Sequence, residues 1–183
     1  MKPRYGTLIK PLGQEYNNTK EINGITLIQN TSIEDVDYVN RIGVVVSPRD
    51  NSDLVEGDLV VTHHNVFRTY YDMKGNKRKS NEYIRDGLYL VEDSKIYMYN
   101  RDDKWNTYMD YCFIKPVDYK QDELLYRADK TEEDHVGIIK YINHKTLKPG
   151  DKIAFTKNSE YKFVIDEEKL YRMRNRDICI KLY

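Results

Sequence analysis

Leu54-Val55-Glu56-Gly57-Asp58-Leu59-Val60 returns further along the chain as Leu147-Lys148-Pro149-Gly150-Asp151-Lys152-Ile153, an offset of 93 residues. Each copy reads as a turn feeding a strand. Glycine reaches a positive φ without a Cβ clash, and the aspartate after it can bond the backbone of its own turn. Three more anchors keep the same order around this pair. Leu8-Ile9-Lys10-Pro11 returns as Phe113-Ile114-Lys115-Pro116 at an offset of 105. Gly43-Val44-Val45 returns as Gly137-Ile138-Ile139 at 94, and Leu88-Tyr89 with Ile96 returns as Leu170-Tyr171 with Ile178 at 82. Self-similarity in a fixed order marks a duplicated structural unit, here roughly residues 3–100 and 109–183.

The falling offsets locate the differences. From 105 to 94, copy one holds 11 more residues between Pro11 and Gly43; from 93 to 82, it holds 11 more around Met73–Ser80. No segment keeps a 3.6-residue period. Short β-branched or aromatic runs recur instead, at 7–10, 42–46, 59–62, 66–71, 88–91 and 96–99, then at 112–115, 137–142, 152–155, 161–165, 170–173 and 178–182. Turn signals separate several of them, which predicts an all-β fold. The organisation expected is a first barrel over 1–100, with a loop at about 17–32 and a basic hairpin at about 73–83. A linker at 101–108, polar except for Trp105, leads to a second barrel over 109–183.

Bulk composition narrows the classes. The 183 residues suit one or two small domains. Thirty basic residues balance 30 acidic ones, which disfavours a chain held to nucleic acid by charge. No apolar run approaches the roughly 18 residues of a membrane span, and Met1-Lys2-Pro3-Arg4-Tyr5-Gly6 lacks a signal-peptide core. A cytoplasmic location without membrane contact is the expectation. The 17 tyrosines, with abundant Lys, Asn and Ile, suit an AT-rich genome such as a bacteriophage's.

Between the first two anchors lies Thr19-Lys20-Glu21-Ile22-Asn23-Gly24-Ile25-Thr26-Leu27-Ile28-Gln29-Asn30, a polar run with a short apolar plug behind a glycine. The ordered set resembles the ten-kilodalton co-chaperonin (GroES) family, taken twice. Ile9-Lys10-Pro11 is similar to the end of that family's first strand, and Asn23-Gly24-Ile25-Thr26-Leu27 to the Gly-Gly-Ile-x-Leu of its mobile loop. Gly43-Val44-Val45-Val46 resembles the Gly-x-Val strand, and both Gly-Asp motifs resemble Val-x-x-Gly-Asp-x-Val. Arg176-Asp177-Ile178-Cys179-Ile180 looks like the closing strand. The sequence departs at Asn23, where the family has its first loop glycine, and at Ile28, where it has proline. Tyr119–Tyr126, the corresponding stretch of copy two, lacks the glycine.

The resemblance implies two tandem GroES-like β-barrels assembled into a homo-oligomeric ring. Gly24, Ile25, Thr26 and Leu27 would then contact a GroEL-type chaperonin, with Gly24 as hinge. From the residues alone the same plug also reads as a hairpin arm packed into its own barrel. Two functions stay open: a co-chaperonin capping an ATP-dependent chaperonin in a host cytoplasm, or a structural ring or adaptor among other virion proteins.

Nothing in the sequence points to bond chemistry, a catalytic residue, a cofactor or a metal. Phosphate-loop and His-Glu-x-x-His patterns do not occur. His63-His64, read as strand neighbours, would point to opposite faces and share no metal. Lys74, Lys77, Arg78 and Lys79 read as a solvated hairpin tip. Cys112 and Cys179 both read as buried free thiols. Asn17-Asn18-Thr19 and Asn30-Thr31-Ser32 match the glycosylation pattern without significance in a cytosolic chain.

Overall fold

The structure is a computed structural model that describes residues 3–28, 35–119 and 132–183. It divides into two compact units, Met1–Lys104 and Trp105–Tyr183. The first contains β1 (Thr7–Pro11), β2 (Thr19–Ile22), β3 (Ile25–Ile28), β4 (Ile42–Ser47) and β5 (Leu59–Thr62). It continues with β6 (Thr69–Tyr71), β7 (Lys77–Lys79), β8 (Tyr83–Arg85), β9 (Leu88–Val91) and β10 (Ile96–Arg101). The chain crosses into the second unit within β11 (Lys104–Thr107). There follow β12 (Tyr111–Asp118), β13 (Glu132–Ile142), β14 (Lys152–Phe155), β15 (Tyr161–Ile165), β16 (Glu168–Arg174) and β17 (Ile178–Leu182). Single 3₁₀ turns, Asp93–Lys95 and Asn175–Asp177, precede β10 and β17. The described residues are all-β, as the sequence predicts, and each of the twelve apolar runs overlaps a strand.

Both units repeat one sheet. The first runs β11-β10-β5-β4-β1-β9-β8 and the second β15-β16-β12-β13-β14-β17, so reading the second backwards gives the first without its β11. Register agrees residue by residue. Ile9, Lys10 and Pro11 face Val45, Val44 and Gly43; Ile114, Lys115 and Pro116 face Ile139, Ile138 and Gly137. The offsets of 105 and 94 map one set onto the other. The ladders β1–β9 and β12–β16, β4–β5 and β13–β14, and β5–β10 and β14–β17 correspond in the same way. Even the bulge after Leu8 recurs after Phe113. A bulge bends the strand that carries it, so the two sheets curve at equivalent places.

Among the described residues no sheet closes into a barrel. The ladders end at β11 and β8 in one sheet and at β15 and β17 in the other, so these are open antiparallel sheets. The edge strands β8 and β11 are short, at three and four residues, and give little ladder to close with.

Equivalent positions fill equivalent cores. Ile9, Val45, Val60 and Val91 are buried in the first unit, and Ile114, Ile139, Ile153 and Met173 in the second. The Gly-Asp turns behave as their sequence predicts. Gly57 and Gly150 have φ of 93° and 94°. Asp58 Oδ2 accepts the Val55 N–H at 2.8 Å, and Asp151 Oδ2 accepts the Lys148 N–H at 3.0 Å. Tyr89 and Tyr171, also equivalent, each donate to a glutamate at 2.8 Å, Glu15 and Glu132 respectively.

The stretch 101–108, expected as a polar linker, holds a tight reversal instead. Asp102 and Asp103 both take positive φ, 53° and 58°, the geometry that favours two-residue hairpin turns with Asp or Asn. The chain returns along β10 as β11, and Trp105 is buried with its Nε1–H donating to Asp166 Oδ2 at 2.8 Å.

Candidate docking hairpin

The residues singled out in copy one, Gly24, Ile25, Thr26 and Leu27, come together at the tip of one β-hairpin. Their run was expected either to be a flexible docking loop or to be a hairpin arm packed into its own barrel. Over 19–28 it is the two-stranded ladder β2–β3, with Ile22 facing Ile25, Glu21 facing Thr26, Lys20 facing Leu27 and Thr19 facing Ile28. Asn23 and Gly24 make the turn, with φ of 53° and 78°. Asn-Gly is the strongest short signal for a type I′ hairpin, so Gly24 serves as the turn residue here. Residues 29–34, which complete the expected loop, lie outside the described residues, as do 120–126 of the corresponding stretch in copy two.

A clamp fixes the base of the hairpin. Tyr16 bridges Val39, and the Asn17 N–H donates to the Tyr38 carbonyl at 2.8 Å. Buried Asn40 donates its side-chain amide to the carbonyls of Leu12 at 2.7 Å and Gln14 at 2.9 Å. Its backbone N–H reaches the Glu15 carbonyl at 3.0 Å.

Every residue of β2 and β3 is exposed. Directly opposed residues share a face, and neighbours alternate. One face therefore carries Ile22, Ile25 and Leu27 with the stem of Lys20, and the other carries Thr19, Glu21, Thr26 and Ile28. Ile22, Ile25 and Leu27 are 44%, 64% and 47% exposed. All three lie outside the buried core of their unit. The sequence reading missed Ile22. Its signal was the Asn-Gly turn, which sets the register that brings Ile22 opposite Ile25.

The other features singled out have ordinary placements. His63 and His64 follow β5 instead of lying in it, and their rings stack with centroids 4.0 Å apart, contrary to the opposite faces expected of strand neighbours. No group of His, Cys, Asp and Glu suited to a metal occurs among the described residues. The basic run caps the hairpin β6–β7. Asp72 Oδ1 accepts the N–H groups of Lys74 and Asn76, both at 2.9 Å, and Oδ2 accepts Arg78 Nε at 3.0 Å. Bonds from Asn76, first from its backbone N–H, with those from Arg78 and Lys74, hold the Asp72 carboxyl at about 2. Lys79 pairs with Glu15. Cys112 is buried, and burial pushes its thiol up to about 12. Cys179, expected to be buried, is exposed on β17, next to Ile178, which packs against the core. No described helix is long and apolar enough to cross a membrane.

A scan against protein-family models finds no match, and a search of the curated proteins finds none.

Proposed function

We propose that this chain is a docking co-chaperonin of GroES-like arrangement. It would form a homo-oligomeric ring in a bacterial host's cytoplasm and present its β2–β3 hairpins to a GroEL-type chaperonin. One observation carries the reading: Ile22, Ile25 and Leu27 stand exposed on one face of a clamped hairpin. Burying each in a partner's groove gains about 1.5–3 kcal/mol. A preformed hairpin loses less entropy on docking than a disordered segment, which forfeits about 2–5 kcal/mol. One hairpin per chain binds weakly, so a ring that presents several together is what makes the contact useful. β17 ends the second sheet among the described residues, and an unpaired strand edge is a template for another chain, which supports self-assembly.

The test is co-sedimentation with a GroEL-type chaperonin, with and without adenine nucleotide. The native chain is run beside an Ile25→Asp/Leu27→Asp double variant. Nucleotide-dependent binding lost in the variant is the expected result. A well-folded ring that binds no chaperonin from its own host would transfer the reading to a structural ring or adaptor protein of a virion.

A further inference from the structure

Copy one carries its second insertion between β5 and β9, where the first unit forms a pocket of about 450 Å³. Its wall includes Arg68, Lys95, Glu82, Asn81, Tyr70 and Tyr71. The frame is fixed by backbone bonds. Ser80 N–H donates to the Arg68 carbonyl at 3.0 Å, Ser80 Oγ–H to the Val66 carbonyl at 2.5 Å, and Leu90 N–H to the Glu82 carbonyl at 2.7 Å. Arg68 stands between two buried neighbours, Phe67 and Thr69, which anchor its backbone.

The charges in this pocket do not balance. Lys95 is paired with Glu82. Arg68 has no carboxylate partner among the described residues, and its Nε is buried without a hydrogen-bond acceptor. Buried donors are nearly always satisfied. With no carboxylate beside it, the Arg68 guanidinium leaves this concave wall with one unbalanced positive charge. The volume falls in the range of small-molecule sites, roughly 300–1,000 Å³. Tyr70 and Tyr71 add aromatic surface beside the cation.

We infer that this pocket binds a small molecule carrying a phosphate or carboxylate group. The oxyanion meets the Arg68 guanidinium end-on through its two terminal nitrogens, a bidentate arrangement that suits both groups. Asn81 supplies a further donor, and a flat group attached to the anion lies against the tyrosines. The site belongs to copy one, since copy two lacks the insertion that builds it. It is separate from the docking hairpin and does not depend on that reading.

The experiment is a titration of the full-length, nitrogen-15-labelled chain followed by amide shifts at constant ionic strength. Phenyl phosphate and benzoate distinguish the two anions, inorganic phosphate and acetate remove the ring, and benzyl alcohol removes the charge. Saturable shifts confined to residues 65–71, 80–82 and 95 are expected with phenyl phosphate or benzoate, and none with benzyl alcohol. Arg68→Gln should weaken the better anion by about tenfold or more, equivalent to about 1.4 kcal/mol. Arg68→Lys should recover part of it, and Arg85→Gln, at an exposed position, should change nothing. Two results overturn the inference: no saturable shift from either aromatic anion at tens of millimolar on the native chain, or equal binding by a folded Arg68→Gln. The first needs no variant, so a misfolded substitution leaves the inference open to refutation.

Discussion

The Cγ2 of Ile9 lies 2.4 Å from where a Cβ on Gly43 would stand, and the Cδ1 of Ile114 lies 2.3 Å from the same point on Gly137. The two glycines are equivalent in the repeat, and so are the two isoleucines. Each pair brings a core side chain over a neighbouring strand at a spot where only a hydrogen fits. The Lys10 and Lys115 carbonyls, at 2.8 Å and 3.1 Å, close the other side.

Gly43→Ala and Gly137→Ala should therefore each destabilise their own unit by overpacking, by about 1–3 kcal/mol. Denaturant unfolding followed separately through each unit measures this. Unchanged midpoints in both variants would mean that the sheet yields at these crossings and that the close approach is not a constraint.

Asp58 and Asp151 occupy equivalent turns but differ in burial. Asp58 is buried and holds Arg101 through Nε at 2.9 Å and a terminal nitrogen at 2.7 Å. Asp151 holds Lys181 at 2.9 Å at a more open position. Removing a buried acceptor leaves its donors unpaired, at about 1–3 kcal/mol. Asp58→Ala should cost that much, and more than Asp151→Ala. Equal losses in a thermal or chemical melt would show that the turn bond alone matters at both sites.

The loop at Asp72 should be acid-sensitive in a defined window. Its carboxyl is held at about 2 against an ordinary 3.8, first by the Asn76 N–H. A group depressed on folding contributes stability above its unfolded pKa and loses that contribution as pH falls through the folded value. The β6–β7 tip should hold above about pH 4 and loosen as pH approaches 2. The carbon-13 shift of the Asp72 carboxyl, followed against pH, reads this directly. A midpoint near the ordinary value would mean that the four N–H bonds, from the Lys74 and Asn76 backbones and the Asn76 and Arg78 side chains, do not persist in solution.

Thiol labelling should separate the two cysteines. Cys179 is exposed on β17 and should react with a maleimide or disulfide reagent at once. Cys112 is buried with its thiol pushed up to about 12, and thiolate is the reacting form. One thiol should label in the native protein and two after unfolding. Rapid labelling of both would place Cys112 outside the core.

Much of this fold was legible because duplication lets the chain be compared with itself. Offsets of 105, 94, 93 and 82 decide which residues correspond, and the paired strands then share register down to the bulge after Leu8 and Phe113. What stayed hidden depended on context. Lys77–Lys79, Tyr83–Arg85 and Lys104–Thr107 are strands with little apolar alternation, so they carry no period to read. Cys179 alternates with Ile178, which packs against the core, and the apolar run Ile178-Cys179-Ile180 does not show which of its two faces points inward. Closure of the sheets is a property of edge strands, and the core pattern of the central strands is silent about it. The β2–β3 hairpin was half legible: the apolar plug drew attention to Ile25 and Leu27 and a hairpin arm was one of its two readings, but the Asn23-Gly24 turn was not singled out and with it Ile22 was missed.

That turn makes a face-specific prediction about chaperonin binding. A loop that docks in extended form would use Ile25 and Leu27 with little regard for Ile22, which lies before the glycine. A hairpin that docks as built presents Ile22 beside Ile25 and turns Ile28 away, although Ile28 is the most exposed of the four at 66%. Ile22→Asp should then weaken binding to a GroEL-type chaperonin by about tenfold or more, from loss of about 1.5–3 kcal/mol of burial. Ile28→Asp should have little effect, and neither should lower the melting temperature, since both side chains are exposed. Co-sedimentation of the two single variants beside the native chain measures the difference. If Ile28→Asp abolishes binding and Ile22→Asp spares it, the hairpin opens or turns over on docking, and the contact face drawn from its register is wrong.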